Sequence, residues 1–420
     1  MSLMPKHLRE HNISLKSHPK NTVKKIPFKQ WCVLGSLAIA LLSSCQQPQP
    51  TPSPTATPTV SATPAAQETE GILEKVKARG KLICGVNGKL PGFSYVDEKG
   101  VWSGLDVDYC RAIAAAVLGD AKAVDYKPLL AKDRFTAIQT GEVDILMRNT
   151  TRTLSREIAP NISFAPTTFF DGQGIMLRIG KAPTSKSTPS PSPTTSPSPS
   201  ANPSPEASAK SDELPTINKD VALSLKDLDN KKICVEIGVN ANNLESVIAE
   251  AELKVESLVL PDLDAVLNAY SQGDCEAVSS EKSQLAAWRS KLPRPADHKI
   301  LDLSLSKEPL SPAIVANDDR WRDVVTWVVY ATFYAEELDI TMENYTIFKD
   351  TKNLEVARFL GTTDSLGIEL GLAPDWTTQI LKQVGNYSDI YKRNLAPLDI
   401  PRGLNRTWKQ GGLLYSMPFR

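Results

Sequence analysis

Apolar runs in the body of the chain alternate between the spacing of strands and the spacing of helices. The first series predicts strands at residues 81–87, 123–126 and 143–147 and helices at 105–118 and 134–140. Gly119 and Gly141 follow the two helices, where glycine commonly ends a helix. This series predicts a β-α-β-α-β unit.

A second series repeats that order further along the chain. It predicts strands at residues 232–236, 254–259 and 275–278 and helices at 242–251 and 263–272. Two such units predict an α/β protein with two lobes, each a mainly parallel sheet flanked by helices. Residues 321–338 predict a further helix. From there to Arg420 the pattern predicts short helices, but it does not determine how they are arranged.

Polar side chains follow the last strand of each unit. Asn-Thr-Thr at residues 149–151 follows the first unit, and Ser-Ser-Glu at 279–281 follows the second. Ligands in parallel α/β sheets bind outside the carboxyl ends of the strands. These two polar segments therefore predict a ligand-binding cleft between the lobes. The arginine-rich stretch 148–156 suits a small anion with polar substituents. The alternative is a solvated loop.

Charge and histidine content narrow the function. The 420 residues hold 48 Lys+Arg and 48 Asp+Glu, but the first thirty are strongly basic, so the remainder is mildly acidic. A mildly acidic body argues against nucleic acid as a partner. Of four histidines only His298 lies outside the first thirty residues, which leaves few candidates for a metal site or for histidine catalysis.

The N-terminal segment has the features of an export signal. Basic residues precede an apolar run at 31–42, which is too short to span a bilayer and suits a signal-peptide core. The ending Leu42-Ser43-Ser44-Cys45 resembles a lipobox. We therefore predict a lipoprotein signal peptide at 1–44 with Cys45 lipidated, the alternative being an ordinary signal sequence.

Two stretches are too rich in proline, serine and threonine to build a core. Residues 45–70 predict a linker, and residues 181–215 predict a disordered insertion within the second lobe.

The four body cysteines, Cys84, Cys110, Cys234 and Cys275, fall two in each unit. An even number behind an export signal predicts disulfides, and four cysteines allow three pairings. Pairing within each unit is the simplest, and buried free thiols are the alternative.

Several motifs together resemble one family. They are residues 88–94, 104–108, 134–144, 148–151, 169–174, 306–310, 384–387 and 404–408. On these motifs the chain is similar to periplasmic solute-binding proteins of the polar amino-acid ABC transporter family (family 3), and most similar to the general L-amino-acid-binding subgroup.

The resemblance implies a two-lobe periplasmic-binding-protein fold of type II with two interlobe crossovers. Lobe 1 would comprise residues 71–172 and 308–420, and lobe 2 residues 173–307. It also implies a monomer without a cofactor or metal, which binds an L-amino acid, serves ABC permease subunits and touches the membrane only through its lipid anchor.

The resemblance also implies roles for particular residues. Arg156 and the hydroxyl of Thr151 would hold the ligand α-carboxylate, with the turn at Asn240 adding backbone donors. Glu281 would hold the α-ammonium, helped by the backbone at Asn149.

Three positions depart from the family pattern. Glu281 stands where aspartate is usual, Asn240 where threonine is usual, and Leu90 where an aromatic often stacks on the ligand. Arg134 matches an arginine of relatives that bind acidic amino acids, so we predict a preference for acidic and neutral polar ligands. Arg148 adds positive potential nearby, although a solvated side chain is the favoured interpretation there.

The alternative function is an enzyme of the cyclohexadienyl or arogenate dehydratase kind, which shares this fold. Such an enzyme needs a general acid or base in the cleft, and the candidates there are Glu281 and arginines. Arginine does not readily release its proton. We therefore predict a binding protein rather than an enzyme, and no catalytic residue.

Overall fold

The computed structural model describes residues 71–179, 224–363 and 366–420. The predicted signal peptide, Cys45, the linker and the proline-rich insertion lie outside these residues. Among the described helices, none combines the length and apolar composition that crossing a bilayer would require.

The first part of the chain forms most of one lobe. Its strands β1 to β8 are Leu82–Val86, Lys89–Leu90, Ser94–Val96, Trp102–Ser103, Val124–Pro128, Ile145–Leu146, Ile162–Phe164 and Phe169–Asp171. Its helices α1 to α4 are Ile72–Arg79, Leu105–Leu118, Arg134–Gln139 and Leu154–Glu157. The helix α2 has the predicted bounds, and Gly119 ends it with a φ of 73°.

Gly104, which precedes α2, has a φ of 128°, and a Cβ on it would lie 2.0 Å from the carbonyl oxygen of Phe93. Only glycine fits this approach of helix and loop, which fixes where α2 begins.

The second lobe follows. Its strands β9 to β13 are Gln173–Arg178, Lys232–Glu236, Glu256–Leu260, Ala277–Glu281 and His298–Ile300. Its helices α5 to α7 are Val239–Glu250, Leu263–Gln272 and Lys282–Lys291.

The chain then returns to the first lobe. It contributes strands β14 and β15 at Glu308–Leu310 and Ala313–Val315. The helices α8 to α12 are Asp319–Glu337, Leu354–Phe359, Leu366–Glu369, Trp376–Gln383 and Tyr387–Asn394. Helix α8 crosses the core of this lobe, where Trp321 is fully buried and donates its indole N–H to the carbonyl of Asp144 at 2.9 Å.

Each lobe is built on a mixed five-stranded sheet. The first has the order β5-β1-β6-β15-β7 and the second the order β11-β10-β12-β9-β13. The three strands of each predicted unit pair in parallel, whereas the strands added from outside the unit, β15 and β9, are antiparallel to their neighbours. Both lobes therefore have the mainly parallel core that the repeated unit predicts.

The boundaries of β12 differ from the sequence prediction. Residues 279–281 do not leave this strand but belong to it, because β9 pairs along it as far as Gln173 opposite Glu281. This partner comes from about a hundred residues upstream, so the local pattern carries no sign of it.

The two crossovers meet in a short antiparallel pair. Strand β8 pairs with β14, with Phe170 opposite Pro309. Asn405, from the C-terminal segment, accepts from the backbone N–H of Phe170 at 2.7 Å and donates to its carbonyl at 3.0 Å. This amide braces the hinge between the lobes.

Each lobe contains one disulfide. Cys84 of β1 pairs with Cys110 of α2, and Cys234 of β10 pairs with Cys275 just before β12. Each joins elements of a single β-α-β-α-β unit, and cross-links of this loop length typically stabilise a fold by about 3 kcal/mol.

Candidate ligand-binding cleft

A cavity of about 520 Å³ lies between the lobes, at the carboxyl ends of the central strands. The lobe 1 wall comes from the chain that leaves β6 and from the starts of α3 and α4. The lobe 2 wall comes from the β10–α5 turn and the β12–α7 junction. This is the location that the strand order predicts for a ligand.

The lobe 1 wall carries three guanidinium groups, those of Arg134, Arg148 and Arg156. Arg134 and Arg156 both approach the ring of Phe135, at 5.0 and 5.6 Å from its centroid. Burial lowers the pKa of all three arginines, and their mutual repulsion lowers that of Arg134 further. The cost of holding these charges out of water favours an anion between them.

Arg148 is not solvated, contrary to the favoured sequence interpretation. It is buried, lines the cavity, and donates from Nε to the carbonyl of Leu129 at 2.8 Å. Arg134 is less satisfied, because its Nε is buried without a hydrogen-bond partner. A ligand acceptor at this nitrogen would remove that deficit.

The lobe 2 wall carries two carboxylates and several amides. Burial and then repulsion from Glu281 raise the pKa of Glu236 to about 7. Burial also raises the pKa of Glu281, whose Oε2 accepts a hydrogen bond from the hydroxyl of Ser280 at 3.1 Å. Both carboxylates would gain from a cationic group in the cavity.

The local fold fixes the position of Arg156. Thr153 caps the short helix α4, accepting from the backbone N–H of Arg156 at 3.3 Å. The Nη1 of Arg156 donates a hydrogen bond to the carbonyl oxygen of Thr151 at 2.6 Å. Arg156 and Thr151 therefore act as one unit at the wall of the cavity.

Asn149 is held in an unusual backbone conformation, with a φ of 34°. Its N–H donates to Oδ2 of Asp106 at 3.0 Å, and Asp106 is buried in the first turn of α2. Burial raises the pKa of Asp106 to about 7. The Oδ1 of Asn149 is buried without a partner, so it can accept a hydrogen bond from a ligand N–H.

The turn at Asn240 is braced by Gln173, a fully buried residue. The Nε2 of Gln173 donates to the carbonyl of Asn240 at 2.8 Å and to the hydroxyl of Ser279 at 2.9 Å. Its Oε1 accepts from the amide of Asn243 at 2.9 Å. This network fixes the β10–α5 turn against β12.

The structure brings six of the seven sequence-predicted ligand residues together around this cavity: Arg134, Asn149, Thr151, Arg156, Asn240 and Glu281. It does not bring Leu90 there. Leu90 is only 4 % exposed and packs in the core of lobe 1, within the β2–β3 pair.

Sequence reasoning missed further residues that line the cavity, among them Glu236, Asn243, Gln284 and Glu308. Glu236 ends strand β10, so the same rule that selected the other strand exits would have found it. Glu308 lies on the second crossover, and no local pattern marks it as a cavity residue.

Two α/β lobes joined by a double crossover, with a charged cavity between them, define a bilobal binding protein. Three arginines lie on the lobe 1 wall, and Glu236 and Glu281 lie on the lobe 2 wall, which suits a small zwitterion.

Comparison with known proteins assigns the family. The model of the bacterial extracellular solute-binding proteins, family 3, matches residues 82–350. The chain belongs to this family, as its motifs predict. Its relatives are named as binding proteins and not as enzymes, so we assign this chain to the binding proteins.

Three relatives cover most of the chain. The general L-amino acid-binding periplasmic protein AapJ of Rhizobium johnstonii is 38% identical over 365 residues, which is 86% of this chain and 96% of that protein. The glutamate/glutamine/aspartate/asparagine-binding protein BztA of Rhodobacter capsulatus is 35% identical over 366 residues, with the same two coverages.

The third is a solved structure, an ABC transporter periplasmic binding protein from Brucella ovis with glutathione bound. It is 38% identical, has a TM-score of 0.71, and covers 84% of this chain and 100% of its own.

Proposed function

We propose that this chain is an extracytoplasmic lipoprotein that captures L-amino acids, preferring acidic and neutral polar side chains, and delivers them to an ABC permease. The opposed charges of the cavity carry this proposal. The three arginines of lobe 1 face Glu236 and Glu281 of lobe 2 across a cavity of about 520 Å³. An amino acid presents a carboxylate to one wall and an ammonium to the other.

The roles are those that the family resemblance implies, and the positions of these residues around the cavity support them. Arg156, tied to Thr151, holds the α-carboxylate, and the turn at Asn240 adds backbone donors from lobe 2. Glu281 holds the α-ammonium with help from Asn149. Arg134 and Arg148 then remain for a side-chain carboxylate or amide.

The names of the relatives support the ligand class and the transport role. AapJ is named for general L-amino-acid binding and BztA for glutamate, glutamine, aspartate and asparagine. The proposed organisation is a signal peptide at 1–44, a linker at 45–70, lobe 1 at 71–172 and 308–420, and lobe 2 at 173–307. We place the protein in the periplasm or at the outer face of the cytoplasmic membrane, as a monomer.

A second candidate ligand is a γ-glutamyl peptide. The solved relative from Brucella ovis has glutathione bound. The γ-glutamyl end of such a peptide has the α-carboxylate and α-ammonium of an amino acid, and its second carboxylate could reach Arg134 and Arg148. The cavity volume leaves room for more than one residue of ligand.

Calorimetric titration of the ligand-free protein with the twenty L-amino acids and glutathione tests the proposal. We expect glutamate, aspartate, glutamine and asparagine to bind more tightly than lysine and arginine, because a cationic side chain would meet Arg134 and Arg148. Glutathione binding tighter than every amino acid would favour the peptide ligand. No binding to any of them would refute the proposed function.

The proposed lipid anchor has a test of its own. Replacing Cys45 by alanine is expected to release the protein from membranes, because no acyl chain could then be attached. Fractionation of cells that express wild type or Cys45→Ala measures this, with Ser44→Ala as the matched control. If Cys45→Ala stays in the membrane fraction, the anchor assignment is wrong.

A further inference from the structure

Glu308 makes contacts that the proposed ligand would itself require. It is buried on β14, its side chain lines the cavity, and the roles given above to the cavity residues leave it without one. Its Oε2 accepts a hydrogen bond from the hydroxyl of Thr151 at 2.6 Å. Its Oε1 accepts from the hydroxyl of Ser306, also at 2.6 Å.

The contact with Thr151 conflicts with ligand binding. A hydroxyl has one proton to donate. Thr151 donates this proton to the carboxylate of Glu308. The proposed function needs the same proton for the ligand α-carboxylate. Glu308 also carries the charge that most strongly offsets the burial of Arg156. A carboxylate of the chain therefore accepts the proton of Thr151 and carries a charge that favours the guanidinium of Arg156.

Glu308 also lies at the hinge, in the strand pair that the two crossovers form. Strand β14 pairs with β8, with Glu308 opposite Asp171. Ser306, the second partner of Glu308, accepts from the backbone N–H of Gln173 at 3.3 Å, just beyond the first crossover. The carboxylate thus links the ligand grip to both crossovers.

We propose that Glu308 is an internal competitor for the ligand α-carboxylate, which the ligand displaces from Thr151 and thereby frees the hinge to close. This inference rests on the proposed function, since it requires a ligand with a carboxylate. A carboxylate of the chain then takes the place of the ligand at Thr151, and hinge closure depends on an anion that can replace Glu308. A site that is partly occupied by its own side chain binds ligand more weakly, in proportion to the fraction of time that it is free.

Replacing Glu308 by glutamine tests the inference. Glutamine keeps the shape and an oxygen that accepts from Thr151, but it removes the charge that competes with the ligand. We expect Glu308→Gln to bind glutamate and glutamine about five-fold more tightly or better than wild type. Calorimetric titration with both ligands measures the change, and thermal unfolding checks that the variant remains folded.

The matched control is Glu256→Gln, which removes the same charge far from the cleft. The Glu256 side chain is 70% exposed and pairs with Lys232 on the sheet of lobe 2. We expect it to leave both affinities unchanged, which would separate a local effect from a change in net charge.

The remaining outcomes separate the inference from the proposed function. Unchanged affinity in Glu308→Gln would overturn the competitor role, and weaker affinity would mean that Glu308 holds the ligand ammonium instead. If neither protein binds any amino acid or glutathione, the proposed function and this inference both fail.

Discussion

Replacing Arg156 by alanine is expected to weaken the binding of every amino-acid ligand alike. Loss of one partner from a buried, hydrogen-bonded charge pair costs about 2–5 kcal/mol, which is roughly thirty-fold or more in Kd. The effect is uniform because every L-amino acid has the α-carboxylate that Arg156 holds. Calorimetric titration with glutamate, glutamine and alanine measures it.

Arg152→Ala is the matched control. Arg152 lies four residues away on the same loop, but its side chain is 44% exposed, pairs with Glu157, and does not line the cavity. We expect it to change the affinities little, since exposed ion pairs typically contribute less than about 1 kcal/mol. Equal losses in the two variants would mean that general positive potential, and not the Arg156 grip, attracts the ligand.

The sequence predicted the core of the fold because its signals are local. Helix α2 has a run of apolar residues with the helical period and a glycine after it, and Leu105–Leu118 is the helix that forms. The strands of each unit are near in sequence and pair in parallel. Strands β9 and β15 were not predicted, because each joins its sheet from a distant part of the chain.

The same distinction explains the candidate site. Arg156, Thr151 and Asn149 leave a strand within their own unit, so the rule that ligands bind at strand ends located them. Gln173 braces the cavity wall and Glu308 lines the cavity, and antiparallel pairing at the crossovers sets the position of both side chains. Local pattern contains no information on that pairing.

Leu90 shows the limit of transferring a position by resemblance. The family pattern predicts a ligand contact there, but a leucine gains more from burial than from a polar cavity, by about 1.5–3 kcal/mol for the whole side chain. It packs in the core of lobe 1 instead. Leu90 therefore does not supply the aromatic platform that the family pattern has at this position.

The separation of charge between the lobes also bears on closure. Net formal charge is zero over the whole chain, yet the cavity has three arginines on the lobe 1 wall and Glu236 and Glu281 on the lobe 2 wall. Glu236 and Glu281 are the charges that most strongly offset the lowered pKa of Arg134. Lys89 pairs with Asp264 across the lobes at 2.9 Å, but this ion pair is exposed and contributes little. We therefore expect a zwitterionic ligand to mediate the attraction between the walls.

Replacing Arg134 by leucine is expected to lower the affinity for glutamate more than the affinity for glutamine. Arg134 lines the cavity and its Nε is buried without a hydrogen-bond partner, so a side-chain carboxylate of the ligand satisfies both its charge and its donor. A side-chain amide satisfies the donor alone. Loss of this partner should cost glutamate about 2 kcal/mol or more, which is roughly thirty-fold in Kd.

Competition titrations with glutamate, glutamine and lysine on both proteins measure this change in preference. Glutamine serves as the internal control, because it has the size and the α-groups of glutamate without the second charge. Wild type should prefer glutamate to lysine, since a cationic side chain beside Arg134 meets like charge in a partly desolvated cavity. Arg134→Leu removes this repulsion, so the affinity for lysine relative to that for glutamate should rise. Tight lysine binding by the wild type would show that Arg134 does not face the ligand side chain.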